Sequence, residues 1–97
     1  MDVTDIKYHE EIFDLIIDKS TMDAIRSEDS IRKMLGECCR ILKPGGFYVL
    51  ISIYDDRDEY FENKKEVFQL QKYSIHEWNV YVAKKLQIHK ENDHVII

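Results

Sequence analysis

Two short strings in this 97-residue sequence have the residue types to act on a ligand. Asp18-Lys19-Ser20-Thr21 closes the apolar run 13–18, and Asp55-Asp56-Arg57 follows the apolar run 47–54. Carboxylates, an amine, hydroxyls and a guanidinium can orient a bound molecule, steady developing charge and accept a proton. In open sheets with parallel strands, ligands lie outside the carboxyl ends of the strands, where these strings fall. The plainer alternative is that Asp18 caps a following turn and Lys19 is a solvated cation. Metal chemistry is not expected. Cys38 and Cys39 are adjacent and form no C-x-x-C, and His9, His76, His89 and His94 lack paired helical spacing. The thiols read as reduced and packed.

The elements that must carry these strings can be read from periodicity. Residues 13–18 and 47–54 are short, β-rich and almost wholly apolar, which predicts two strands buried on both faces. Between them a polar loop at 18–30, with room for one helical turn, leads into an amphipathic helix. There Ile31, Met34, Leu35, Cys38, Ile41 and Leu42 form one stripe at helical spacing. Ser27 or Asp29 can cap its start, Arg40 and Lys43 suit its end, and Pro44-Gly45-Gly46 stops it. Strand, helix, glycine turn and strand make a parallel βαβ unit. A second helix is expected over about 58–70, from Tyr60, Phe61, Val67, Phe68 and Leu70. A half-exposed strand at 78–88, with its apolar residues at even positions, is then expected to form an antiparallel hairpin with a last strand at 94–97.

Composition narrows the function classes. Fourteen basic against nineteen acidic residues leave a net charge of −5, and the basic residues form pairs such as Lys64-Lys65 but no stripe. Binding to nucleic acid is therefore not expected. No apolar run is long enough to span a membrane and no signal segment opens the chain, so neither a membrane partner nor export is expected and the cytoplasm is the expected location. At 44% hydrophobic and 34% charged, the chain has the composition of one folded domain.

Asp2-Val3, the string Phe13-Asp14-Leu15-Ile16-Ile17-Asp18-Lys19-Ser20-Thr21-Met22-Asp23-Ala24, and Leu42-Lys43-Pro44-Gly45-Gly46 before a buried strand together resemble the second half of a seven-stranded S-adenosylmethionine-dependent methyltransferase. The Asp-Lys-x-Thr-x-Asp-Ala string is similar to the subgroup of elongation factor 1-alpha lysine methyltransferases. The resemblance implies an α/β fold: part of a Rossmann-like sheet, a parallel βαβ followed by a helix and an antiparallel hairpin, with residues 1–97 as one partial domain. It implies S-adenosylmethionine as cofactor. Asp2 would accept from the adenine amino group, Val3 would offer its backbone amide, and Asp18 and Lys19 would line the methionine moiety. Asp18, Thr21 and Asp23 would serve the acceptor side, with a protein lysine, such as one of a translation factor, as substrate.

The family's glycine-rich cofactor loop after its first strand has no counterpart here. Gly36 falls inside the helix, and Gly45 and Gly46 in the turn. The expected consequences are a chain inactive alone and a first strand without its outer neighbour, open to homo-oligomerisation or to another partner across that edge. A noncatalytic interaction module docking through the same edge is the competing reading.

Overall fold

The computed structural model describes residues 2–87, in which seven elements follow in order: β1 (Phe13–Lys19), α1 (Thr21–Ala24), α2 (Glu28–Ile41), β2 (Leu42–Ser52), α3 (Asp58–Glu62), β3 (Phe68–Ile75) and β4 (Trp78–Lys85). One sheet runs β1-β2-β4-β3, with β1 parallel to β2 and the other pairs antiparallel. The mixed α/β architecture is thus a parallel βαβ, a helix and an antiparallel hairpin. No helix among the described residues is long and apolar enough to cross a membrane.

The βαβ unit forms as its sequence dictates. Ser27 caps α2 by accepting from the Ser30 amide at 3.3 Å, and Ile31, Met34, Leu35, Cys38 and Ile41 are buried along one stripe. Burial of Ile31, Met34, Leu35 and Ile41 stabilises the packing by about 1.5–3 kcal/mol each. Leu42 begins β2 rather than ending the helix. Phe13 pairs with Leu42 but Leu15 with Phe47, so Lys43-Pro44-Gly45-Gly46 bulge out of register. Pro44 has no amide to join the ladder, and Gly45 turns at φ 85°. A Cβ on Gly46 would stand 2.9 Å from the carbonyl oxygens of Asp14 and Lys43, so only glycine lets these backbones meet.

Burial corrects the expectation that both βαβ strands are enclosed on both faces. Tyr48, Leu50 and Ser52 of β2 are buried and pair with Ala83, Tyr81 and Asn79 of β4, also buried, so these residues share the helix-covered face. On the other face Phe47 is exposed, and Val49, Ile51, Val80 and Val82 are only half-buried. In β1, Ile16 packs against the core and Asp18 is buried, whereas Leu15 and Ile17 are 51% and 63% exposed. β1 stands at the sheet margin, and its outer edge has no paired strand among the described residues.

The second half departs further from its periodicity. A helix over 58–70 is not formed: α3 ends at Glu62, the Lys64 carbonyl accepts from the Val67 and Phe68 amides in a turn, and Phe68 enters β3. Phe61 sits between Tyr48, Phe68 and Tyr81, at ring separations of 6.0, 5.9 and 6.2 Å. That aromatic cluster needs Phe61 on a helix and Phe68 on a strand, so tertiary packing overrides the helical spacing. In β4 the odd positions Asn79, Tyr81 and Ala83 are buried, not the even ones, because the register sets them opposite Ser52, Leu50 and Tyr48 on the helix-covered face. The hairpin is β3–β4, turning at His76 with φ 55°. The strand expected at 94–97 lies outside the described residues.

Candidate functional site

The chain leaves β1 through Ser20, which is in the left-handed conformation at φ 69° and whose amide donates to the Ile51 carbonyl at 3.2 Å. A non-glycine residue held there is a strained turn fixed by its surroundings. It brings Asp18 under the start of α1. One Asp18 oxygen accepts from the Thr21 amide at 2.7 Å, and the other from the Met22 amide at 3.2 Å and the Tyr48 hydroxyl at 2.5 Å. Asp18 is 6% exposed and turned to the chain's own donors, as the capping alternative anticipated. Lys19 and Thr21 are exposed. Burial first, then the Asp18 charge, push the Tyr48 phenol well above its ordinary range, so it stays a donor.

Asp23, one helical turn on, faces the end of β2. It accepts from the Ser52 hydroxyl at 2.6 Å and the Ile53 amide at 3.2 Å, and Arg57 Nε lies 3.3 Å away. The loop carrying Arg57 is fixed by Tyr81, whose hydroxyl donates to the Tyr54 carbonyl at 2.7 Å and accepts from the Arg57 amide at 3.1 Å. Lys72 of β3 donates to the Asp55 carbonyl and pairs with Asp58 at 3.4 Å.

Asp2 and Val3 reach the fold through a clamp on α2. Glu37 accepts from the Ile6 amide at 3.0 Å, and Arg40 donates to the Ile6 and Tyr8 carbonyls at 2.7 and 2.9 Å. The two side chains also pair with each other at 2.8 Å, and the Arg40 hydrogen bond holds the Glu37 carboxyl below the usual carboxylate range. Val3, Phe13, Ile16, Asp18, Thr21 and Tyr48 help line an apolar cavity of about 270 Å³. Asp2 is exposed; hydrogen bonds from the Thr4 hydroxyl and amide to its Oδ1 keep its carboxyl below the ordinary range.

The structure thus gathers Asp18, Lys19, Thr21 and Asp23 at the carboxyl ends of β1 and β2, and Asp2 and Val3 on the separate segment held by α2. Tyr48, Ser52 and the Glu37–Arg40 clamp were missed from the sequence. Tyr48 alone left a trace there, since a hydroxyl inside an apolar strand needs a buried acceptor. The cysteines are packing groups: Cys38 is buried and its thiol pushed up to about 12 by burial, and burial raises Cys39 as well. No cluster able to hold a metal occurs among the described residues.

A parallel βαβ ending in an acidic and basic turn, completed by an antiparallel hairpin, is the arrangement of a Rossmann-like methyltransferase sheet, and the comparisons agree. Residues 1–50 match the methyltransferase domain family, and the chain belongs to it. It is 32% identical over 59 residues to the eEF1A lysine and N-terminal methyltransferases of mouse and human. That match covers 55% of this chain and 8% of those proteins. Among solved structures, the chain resembles one from the complex between the Haloferax volcanii Trm112 methyltransferase activator and a methyltransferase. The TM-score is 0.75 at 15% identity, covering 94% of this chain and 61% of that one. It also resembles the N-methyltransferase NodS of Bradyrhizobium japonicum, solved with S-adenosyl-L-homocysteine, with a TM-score of 0.69 at 17% identity, covering 89% and 52%. These likenesses establish the fold, of which the chain spans about half to three fifths.

Proposed function

We propose that this chain is the acceptor-side part of an S-adenosylmethionine-dependent methyltransferase acting on a protein amine, a lysine by first choice. The observation that carries the reading is the Asp18–Lys19 turn at the carboxyl end of β1, within a chain of the methyltransferase domain family. The protein acceptor is inferred from the similarity to the eEF1A lysine and N-terminal methyltransferases.

The residues present fit one wall of the cofactor. Asp2 keeps Oδ2 without a hydrogen bond among the described residues, beside Val3 on the apolar cavity, a suitable acceptor and wall for an adenine ring. Asp18 has given its oxygens to Thr21, Met22 and Tyr48, so it shapes the turn that presents Lys19 and contacts a ligand less directly. When bound, the cofactor supplies an electrophilic methyl group. The chain's own part is to hold the acceptor in line beside the turn of Asp18, Thr21 and Asp23, whose two carboxylates put negative charge near the amine. The glycine-rich part of the cradle would come from another polypeptide segment, added at the outer edge of β1 and over Leu15 and Ile17.

The test is calorimetric titration of S-adenosylhomocysteine into the chain alone and together with a segment carrying that loop, followed by mass measurement of a lysine peptide. Binding in the combined sample, with loss of turnover on Lys19→Ala, is the expected result; no binding in either sample overturns the reading. The exposed β1 edge also favours a second reading, a noncatalytic module that pairs there with a partner or a second copy. Its signature is a stable complex with no cofactor affinity in any combination.

A further inference from the structure

Arg57, flagged by its place after the second strand, is not used by the reading above. Its side chain is only 12% exposed, yet among the described residues its sole charged contact is the 3.3 Å approach of Nε to Asp23 Oδ1, and Nε makes no hydrogen bond there. Neither Nη has a hydrogen-bond partner among the described residues. The guanidinium lies over the Tyr54 ring at 4.4 Å, with Tyr60 at 5.8 Å, so its plane is fixed while its outer fork is left free. It lines a cleft of about 750 Å³ together with Asp23, Arg26, Glu28, Tyr54 and Tyr60.

The charge balance in this cleft decides what it takes. Asp23 is committed to Ser52, Ile53 and Arg57, and Glu28 stands exposed in the first turn of α2. Arg26 makes no ion pair among the described residues. Arg57 covers one face of Tyr54, and Tyr60 is buried with Arg32 at 5.1 Å over its ring, so an incoming ammonium group would meet guanidinium charge at both rings. A half-spent, nearly buried guanidinium on a fixed plane is a two-pronged donor for a carboxylate.

We propose that this cleft is a carboxylate-binding subsite, with Arg57 as the fork and Arg26 as a supporting charge. It adjoins the Asp18–Asp23 turn, so it would seat an acidic group of the acceptor next to the methylated amine. Only that placing rests on the proposed transferase activity; carboxylate binding itself needs no cofactor.

The test is an NMR titration of the ¹⁵N,¹³C-labelled chain with three probes: N-acetylglutamic acid N′-methylamide for a peptide side chain, free glutamate for a small molecule, and N-acetylglutamine N′-methylamide as the neutral control. Saturable shifts of the Arg57 Nε–H and Tyr54 ring signals are expected with the first probe, absent with the neutral one. Saturation by free glutamate alone would keep the carboxylate site but assign it to a small acceptor. Arg57→Gln should weaken binding about tenfold, and Arg57→Lys less, because a single ammonium keeps the charge but loses the fork. Equal shifts from the neutral probe, no saturation with either acid, or unchanged affinity in a folded Arg57→Gln chain would each overturn the proposal. Should Arg57→Gln not fold, the acid-against-amide comparison on the unaltered chain still decides.

Discussion

Tyr48→Phe removes one oxygen atom from the centre of the fold and tests whether the Asp18–Tyr48 contact holds the candidate site together. The Tyr48 hydroxyl is buried and donates to Asp18 Oδ2 at 2.5 Å, and that oxygen's other donor is the Met22 amide at 3.2 Å. A hydrogen bond to a charged group contributes about 1.5–3 kcal/mol, and the phenylalanine ring fills nearly the same space, so the expected loss is about 2 kcal/mol. For a domain of this size that lowers Tm by roughly 8–16 °C. Asp18→Ala strands the Thr21 and Met22 amides as well as the phenol, and should cost about 3–5 kcal/mol. Urea unfolding followed by circular dichroism measures both, and the double variant completes a cycle whose coupling should be about 1–2 kcal/mol. A Tyr48→Phe loss below about 0.5 kcal/mol, or additive single changes, would refute the claim that this pair fixes the turn.

Further expectations concern the glycines and the titrating groups. Gly46→Ala should destabilise by about 1–3 kcal/mol, because its Cβ would meet two backbone carbonyls at 2.9 Å, whereas Gly36→Ala, in a helix with open space around it, should stabilise by up to about 1 kcal/mol; the same urea curves compare them. Tyr48 binds its proton more tightly folded than unfolded, so its stabilising contribution is complete below the ordinary tyrosine pKa of about 10 and is lost as pH climbs past it; absorbance titration should find one phenol that ionises only with unfolding. With its thiol pushed up to about 12, Cys38 should resist iodoacetamide at pH 8 until denaturant is added, with Cys39 the faster of the two as it is half-buried. Lys85→Met should cost about 1–3 kcal/mol, since the Lys85 ammonium donates to the Cys39 and Leu42 carbonyls at 2.8 and 2.7 Å and satisfies the end of α2; a smaller loss would mean water replaces it.

The βαβ half was legible because its signals are local. The α2 stripe and the Ser27 cap act within a few residues of backbone, and the strand ends they imply put Asp18, Asp23 and Arg57 at one margin of the sheet; the Pro-Gly-Gly turn falls not at the helix end but inside β2, as its bulge. The α3–β3 boundary was not legible. Val67, Phe68 and Leu70 continue a helical spacing from Tyr60, and the chain turns at Lys64 only because Phe61 and Phe68 must meet Tyr48 and Tyr81 from different elements. Residues 71–77 are all exposed, so beyond the buried Phe68 and half-buried Leu70 the strand β3 is held by its ladder to β4.

The sequence by itself determined which residue types stand at the strand ends, because burial of short apolar runs forces polar residues to follow them. It left open what those residues bond to. Asp18 to Tyr48, Asp23 to Ser52 and Arg40 to Ile6 are contacts across about thirty positions, chosen by strand register and helix docking. Hydrogen bonds act over about 3 Å, and no one-dimensional spacing encodes which distant groups come that close; only the folded chain decided it.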